Sequence, residues 1–206
     1  VTEPRSSLGA SQAGRLLAGC IVAAWVVGCG AAASQQGPAS SITVERLYPL
    51  RAGSVWTYDV DTGEGLPVLA ITRVLASSNG HVEVSSGSDS LHYEQRPDGL
   101  FRADVGSYLL RMPLAAGSEW EGHDGGRAQI THIDARASTP AGDFVNCVEV
   151  VENSGVSEKR VRTVFCPDVG PVEIESSLQI QLTGKSTRVI ARLRGYDFSG
   201  ALVGAQ

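Results

Sequence analysis

The side chains with the most versatile chemistry in this chain are four cysteines and four histidines, and their spacing excludes more than it supports. The histidines are His81, His92, His123 and His132. A metal site needs three or four converging ligands, commonly announced by a spacing such as HxxxH or CxxC, and neither pattern occurs. His123-Asp124 and His132-Ile133-Asp134 set an imidazole beside a carboxylate, as a general base and its orienting acid would be. The second pair falls on one face of a predicted strand. No GxSxG turn supplies a nucleophile, and exposed strand histidines account for both pairs. Asp98 and Asp124 lie in glycine-containing loops without the DxDxDG array of a calcium loop, so turn formation explains them. The expectation is a protein that is not an enzyme, with no catalytic residues, no metal site and no cofactor.

Cys29 is the residue whose context specifies a modification. It ends Val26-Val27-Gly28-Cys29, which has the form of a bacterial lipobox, after an apolar run Leu16 to Gly28 preceded by Arg5 and Arg15. A charged start, a short apolar stretch and a small-residue exit make a secretory signal. The run is shorter than the roughly 20 residues a membrane span requires. It resembles a lipoprotein signal peptide, whose cysteine takes a diacylglycerol thioether and becomes the new N-terminus. Each buried CH₂ of such a lipid holds the chain to the membrane by about 0.8 kcal/mol. The predicted organisation is a signal peptide over 1–28, a lipid anchor at Cys29 within a small, polar, unpatterned tether over 29–41, and one folded domain over 42–200. Gly30 and Ala31 follow the cysteine with no Asp. By the enterobacterial sorting rule this places the protein in the bacterial cell envelope, as an outer-membrane lipoprotein facing the periplasm.

The domain that must carry any site reads as all-β. Its composition is mildly acidic, 17 basic against 22 acidic residues for a net charge of −5. Removal of 1–28 takes out Glu3, Arg5 and Arg15 and leaves it at −6. With no Lys/Arg cluster, nucleic acid is excluded as a partner. Strands are predicted at 54–61, 66–76, 80–86, 90–96, 99–104, 106–111, 118–122, 127–137, 144–152, 159–166, 172–182 and 186–196. Turn residues separate them, among them Asn79-Gly80 and Asp98-Gly99, strong hairpin signals. Over 172–182, Val172, Ile174, Leu178, Ile180 and Leu182 share one face with Ser176, and Glu173, Glu175, Ser177, Gln179 and Gln181 share the other, the period of a half-buried strand. Over 186–196, Val189, Ala191 and Leu193 oppose Arg188, Arg192 and Arg194, whose basic stripe reads as a solvated face. The expected architecture is a single curved antiparallel meander sheet or open half-barrel, with only minor helix.

Two further features bear on the core. Pro49-Leu50-Arg51-Ala52-Gly53-Ser54-Val55-Trp56 recurs as Pro113-Leu114-Ala115-Ala116-Gly117-Ser118-Glu119-Trp120. Each reads as a glycine turn that delivers a tryptophan to a strand, with Trp56 and Trp120 as core anchors. Cys147 and Cys166 lie on consecutive strands. A loop centred at Val156-Ser157 sets them opposite each other. A two-residue turn at Ser154-Gly155 sets Cys147 opposite Arg162 and the cysteines roughly 13 Å apart along the strand, too far to bridge. In an oxidising compartment they are candidates for a structural disulfide worth about 3 kcal/mol in the chain-entropy model.

The two echoes, with Pro97-Asp98-Gly99-Leu100-Phe101, TPAGDFVNCVEV at 139–150 and CPDVGPVEIES at 166–176, resemble the TapB-like family of bacterial envelope lipoproteins over about 48–176. Asp168 and Pro171 depart from that family's pattern, in a turn. The resemblance implies a fold distantly similar to the half-barrel of the carriers LolA and LolB, and carries no catalytic residues. Two functions are expected from it. One is binding of a lipid or lipoprotein acyl chain on a concave sheet face lined by 172–182 and 186–194. The other is an accessory role in assembly, with an envelope protein bound through the sheet edge or loops.

Overall fold

The structure, a computed structural model, describes residues 42–180 and 185–199. The signal peptide, Cys29, the tether and Leu182 lie outside the described residues. A short helix α1 (Val44–Leu47) precedes twelve strands: β1 (Val55–Asp61), β2 (Val68–Ser78), β3 (His81–Ser86), β4 (Asp89–Arg96), β5 (Gly99–Arg102), β6 (Ser107–Arg111), β7 (Glu119–Glu121), β8 (Arg127–Thr139), β9 (Gly142–Asn153), β10 (Lys159–Cys166), β11 (Gly170–Ile180) and β12 (Lys185–Asp197). They form one antiparallel meander in the order β6-β5-β4-β3-β2-β1-β12-β11-β10-β9-β8-β7. β1 pairs with β12 from Val55↔Asp197 to Asp61↔Ile190 in the middle of this order, and the curved sheet brings its edge strands β6 and β7 together, with Trp120 Nε1 donating to Tyr108 O at 2.9 Å. The sheet is a nearly closed barrel with one unsealed seam, between β6 and β7.

Alternation decides which face turns inward. Trp56 and Tyr58 on β1, Val82 and Val84 on β3, Leu100 on β5, Leu110 on β6, Ile130 on β8, Val148 on β9 and Leu193 on β12 are buried, at the period of two that a sheet with one apolar face demands. One end is closed by the segment before β1. Thr43 caps α1 by accepting the Arg46 amide at 3.3 Å. Leu47 is fully buried, and the Tyr48 ring meets Trp56 at 5.2 Å, Phe165 at 6.1 Å and Tyr93 at 6.2 Å. One side chain thus touches three strands from separate parts of the wall. These ring pairs have the separations at which edge-to-face contact is favourable.

The two echoes form the same device. Gly53 (φ 84°) and Gly117 (φ 87°) both take the left-handed conformation. Each donates its amide across to the next strand, Gly53 to Val74 O at 2.9 Å and Gly117 to Ile130 O at 2.8 Å, and those same residues donate back to Ser54 O and Ser118 O. Each turn launches a six-strand half. The tryptophans then cross-link the halves: Trp56 Nε1 donates to Val169 O at 2.7 Å and Trp120 Nε1 donates to Tyr108 O at 2.9 Å.

The β9–β10 register runs Arg160↔Asn153 to Phe165↔Val148, the register of a loop centred at Val156-Ser157. The cysteines stand opposite each other with their sulfurs joined and Cα atoms 4.3 Å apart. Both cysteines are buried on the outer face of this pair, next to Val164. That face is covered by the β8–β9 hairpin, bent at three register shifts, whose Ala141 amide reaches Leu193 O on β12 at 3.0 Å.

Candidate functional site

Above its closed end the barrel interior opens gradually, and four neighbouring strands show the same gradient. On β11 burial falls from Val172, fully buried, through half-buried Ile174 and Ser176 to Leu178, 37 % exposed. On β12 it falls from Leu193 through Ala191 and Val189 to exposed Thr187. On β1 it falls from Trp56 to Val60, and on β2 from Val74 through Thr72 and Ala70 to Val68, 58 % exposed. These residues are in register: Tyr58↔Leu193, Val60↔Ala191, Ile174↔Ala191 and Ser176↔Val189. Together they make an apolar wall that rises from the aromatic floor toward the β1–β2 end of the barrel.

The opposite side of the interior is charged. Arg102 on β5 reaches behind the seam to Glu152 on β9 at 2.6 Å and also donates to Ser107 Oγ at 2.6 Å. The same Glu152 Oε1 accepts the His123 amide at 2.7 Å. His123 stands in the β7–β8 turn with its Nε2 3.1 Å from the Asp124 carboxylate. Arg102, His123, Glu152, Ser154, Lys159 and Val161 enclose a cavity of about 70 Å³. Two glycines let the turn sit this close to the β9–β10 loop. A Cβ at Gly126 would stand 1.9 Å from Asn153 O, and one at Gly155 2.2 Å from Asp124 O, distances at which backbone must move.

Charged pole and apolar wall are contiguous. Lys159 is the register partner of Leu178, and Val161 that of Ser176, so the cation at the edge of the cavity sits beside the exposed end of the apolar row. Burial also pushes Tyr93, near Arg102, up to about 12. Burial raises Tyr48 and Tyr58 as well, so all three phenols are neutral near pH 7 and none serves as a base there.

Of the two histidine pairs read from the sequence, His123–Asp124 is present at this pole, while His132 turns to Glu149 in place of Asp134. His132 Nδ1 is 3.2 Å from Glu149 on the outer face, and His92 pairs with Asp104 at 2.9 Å. Among the described residues, no three His, Cys, Asp or Glu side chains group as metal ligands would. The arginines of β12 carry carboxylate partners instead of standing free: Arg188 with Glu175, Arg192 with Glu173 and Arg194 with Asp59. Trp56 and Trp120 are both buried, Trp56 in the floor and Trp120 at the seam. Sequence reasoning missed Arg102 and Glu152, which no motif joins. The available signal was parity. Arg102 follows Leu100 by two, and Glu152 follows Val148 and Val150 by four and two, so each is a charge on an inward-facing step.

No protein-family model matches the chain, and no curated protein matches it. It is similar to two crystal structures. One is a candidate exported protein with a YmcC-like fold from Bacteroides fragilis NCTC 9343, 12 % identical over 73 % of this chain and 98 % of that one, with a TM-score of 0.44. The other is a candidate lipoprotein from Parabacteroides distasonis ATCC 8503, 13 % identical over 74 % of this chain and 98 % of that one, with a TM-score of 0.42.

Proposed function

We propose that this chain is a non-enzymatic envelope lipoprotein, held to the membrane through Cys29, that binds an acyl chain in the open part of its barrel. The observation that carries the reading is the graded burial of the inward rows on β11, β12, β1 and β2. A closed core would bury each row along its whole length, whereas apolar side chains left half-open on a concave face form a ligand wall. The lipobox and the motif resemblance to TapB-like envelope proteins support the same placement. Native mass spectrometry of the Cys29→Ala chain tests the reading. Co-purified lipid is expected, and its loss when Ala191→Phe fills the wall. Lipid-free protein that also takes up none when it is offered sinks the acyl-chain reading.

A second reading rests on the outside of β2, where Leu69, Ile71 and Leu75 are 58 %, 47 % and 51 % exposed. A row of apolar residues on an outward face marks a protein contact, and would fit an accessory lipoprotein that docks an envelope protein there. It predicts that Ile71→Lys abolishes partner capture while lipid uptake is unchanged.

A further inference from the structure

We propose that the cavity at the charged pole receives the anionic headgroup of a single-chain amphiphile, whose tail lies on the apolar wall. The inference rests on the acyl-chain reading and adds the head chemistry. Three observations carry it.

The first is charge. Arg102 and Lys159 face one carboxylate, Glu152, in the lining of the cavity, and Glu152 already accepts from both Arg102 and the His123 amide. Asp124 faces His123 Nε2 at 3.1 Å in the adjoining turn and is not part of the lining, which itself sets two cations against one carboxylate. The second is unused hydrogen-bonding capacity. Arg102 Nε and His123 Nδ1 are buried and have no hydrogen-bond partner among the described residues. A buried donor without a partner is costly, and an anion's oxygens accept from the guanidinium strongly. His123 Nδ1 is a second nitrogen left without a partner in the same lining. The third is size and placement. About 70 Å³ has room for a carboxylate or phosphate group and not for an alkyl chain, while Lys159 and Val161 abut Leu178 and Ser176 of the apolar row. A ligand with an anionic end and an apolar end satisfies both regions at once, which neither a neutral hydrocarbon nor a free anion does.

The test is calorimetric titration of the full chain carrying Cys29→Ala with dodecanoate, dodecyl phosphate and dodecanol below their aggregation concentrations, and with inorganic phosphate and acetate. Dodecanoate or dodecyl phosphate is expected to bind at least ~10-fold tighter than dodecanol, a difference of about 1.4 kcal/mol. Lys159→Met and His123→Gln, two variants that leave the Arg102–Glu152 pair in place, are expected to erase most of that preference and leave dodecanol affinity unchanged. Circular dichroism melts establish that both variants are folded. Dodecanol binding as tightly as dodecanoate, or a preference that survives both variants, overturns the headgroup assignment and leaves the acyl-chain reading standing. Inorganic phosphate binding as tightly as dodecyl phosphate overturns it in favour of a free-anion site. Failure of all three dodecyl probes to bind overturns both inference and reading.

Discussion

Gly126 and Gly155 set the shape of the charged pole by having no side chain. Their backbones approach so closely that a methyl on either meets main-chain atoms, at 1.9 Å from Asn153 O and 2.2 Å from Asp124 O. Neither has a positive φ, so the constraint is proximity and not backbone conformation. Gly155→Ala is expected to destabilise the fold by about 1–3 kcal/mol, the usual cost of overpacking. It is also expected to push the His123 turn away from Glu152. A thermal melt and the chemical shift of the His123 ring read the two effects. An unchanged melt would mean that the β9–β10 loop gives way freely. The sequence shows why these residues were hard to see. Ser154-Gly155 reads as a turn by composition alone, while the contact that requires glycine comes from the β7–β8 turn, nearly thirty residues earlier. Arg102 and Glu152 were hidden for the same reason. Each breaks its own strand's inward pattern, and only the barrel brings the two breaks together.

At the scale of elements the legible information was periodicity. All twelve predicted strands are present, with ends moved by a few residues, as at 66–76, which forms as Val68–Ser78. Polar chains facing out on β11 and β12 were equally legible, but not what they would do. Successive strands carry opposite charges directly opposite or one diagonal step apart in register, and the outer face is a ladder: Glu149 on β9 to Arg162 on β10 at 2.6 Å, Arg162 to Glu173 on β11 at 2.6 Å, and Glu173 to Arg192 on β12 at 3.2 Å. Burial alone would raise the Glu149 carboxyl. Hydrogen bonds from Thr131 and Arg162, with the Arg162 charge, outweigh it and hold the group below its ordinary value of 4.5. A hydrogen bond from Arg188 does the same for Glu175. Carboxyls depressed in the folded state stabilise it above their unfolded pKa, and that contribution is lost as pH falls through the folded value. Melting temperature is therefore expected to hold steady from neutrality to about pH 4.5 and to fall below it. Arg162→Met should lower the melt at pH 7 and make the acid decline shallower. An equally steep decline in that variant would place the acid sensitivity elsewhere.

At the scale of the whole molecule the decisive event is the pairing of β1 with β12, whose partners Val55 and Asp197 stand at opposite ends of the folded chain. No local pattern specifies that pairing, and none specifies the approach of edge strands β6 and β7 that nearly closes the sheet, so the curved meander was legible and the degree of its closure was not. The repeat helps to explain it. Two six-strand halves, each begun by the same glycine turn, must meet twice around a barrel. One meeting, β12 with β1, is a hydrogen-bonded ladder. The other, β6 with β7, is not, because β7 is three residues long against seven in β1 and is too short to zip the edge. Side chains bridge it instead: Trp120 to Tyr108 O across the gap and Arg102 to Glu152 behind it. Unpaired strand edges open more readily than ladders, so the seam is where this barrel yields first. Hydrogen exchange is expected to run faster in β6 and β7 than in β1 and β12. Trp120→Phe keeps an aromatic ring and removes the bond to Tyr108 O. It should accelerate exchange in β6 and β7 while β1 and β12 keep their protection. Equal acceleration at both junctions would mean that Trp120 supports the core as a whole, and that the seam is no weaker than the ladder opposite it.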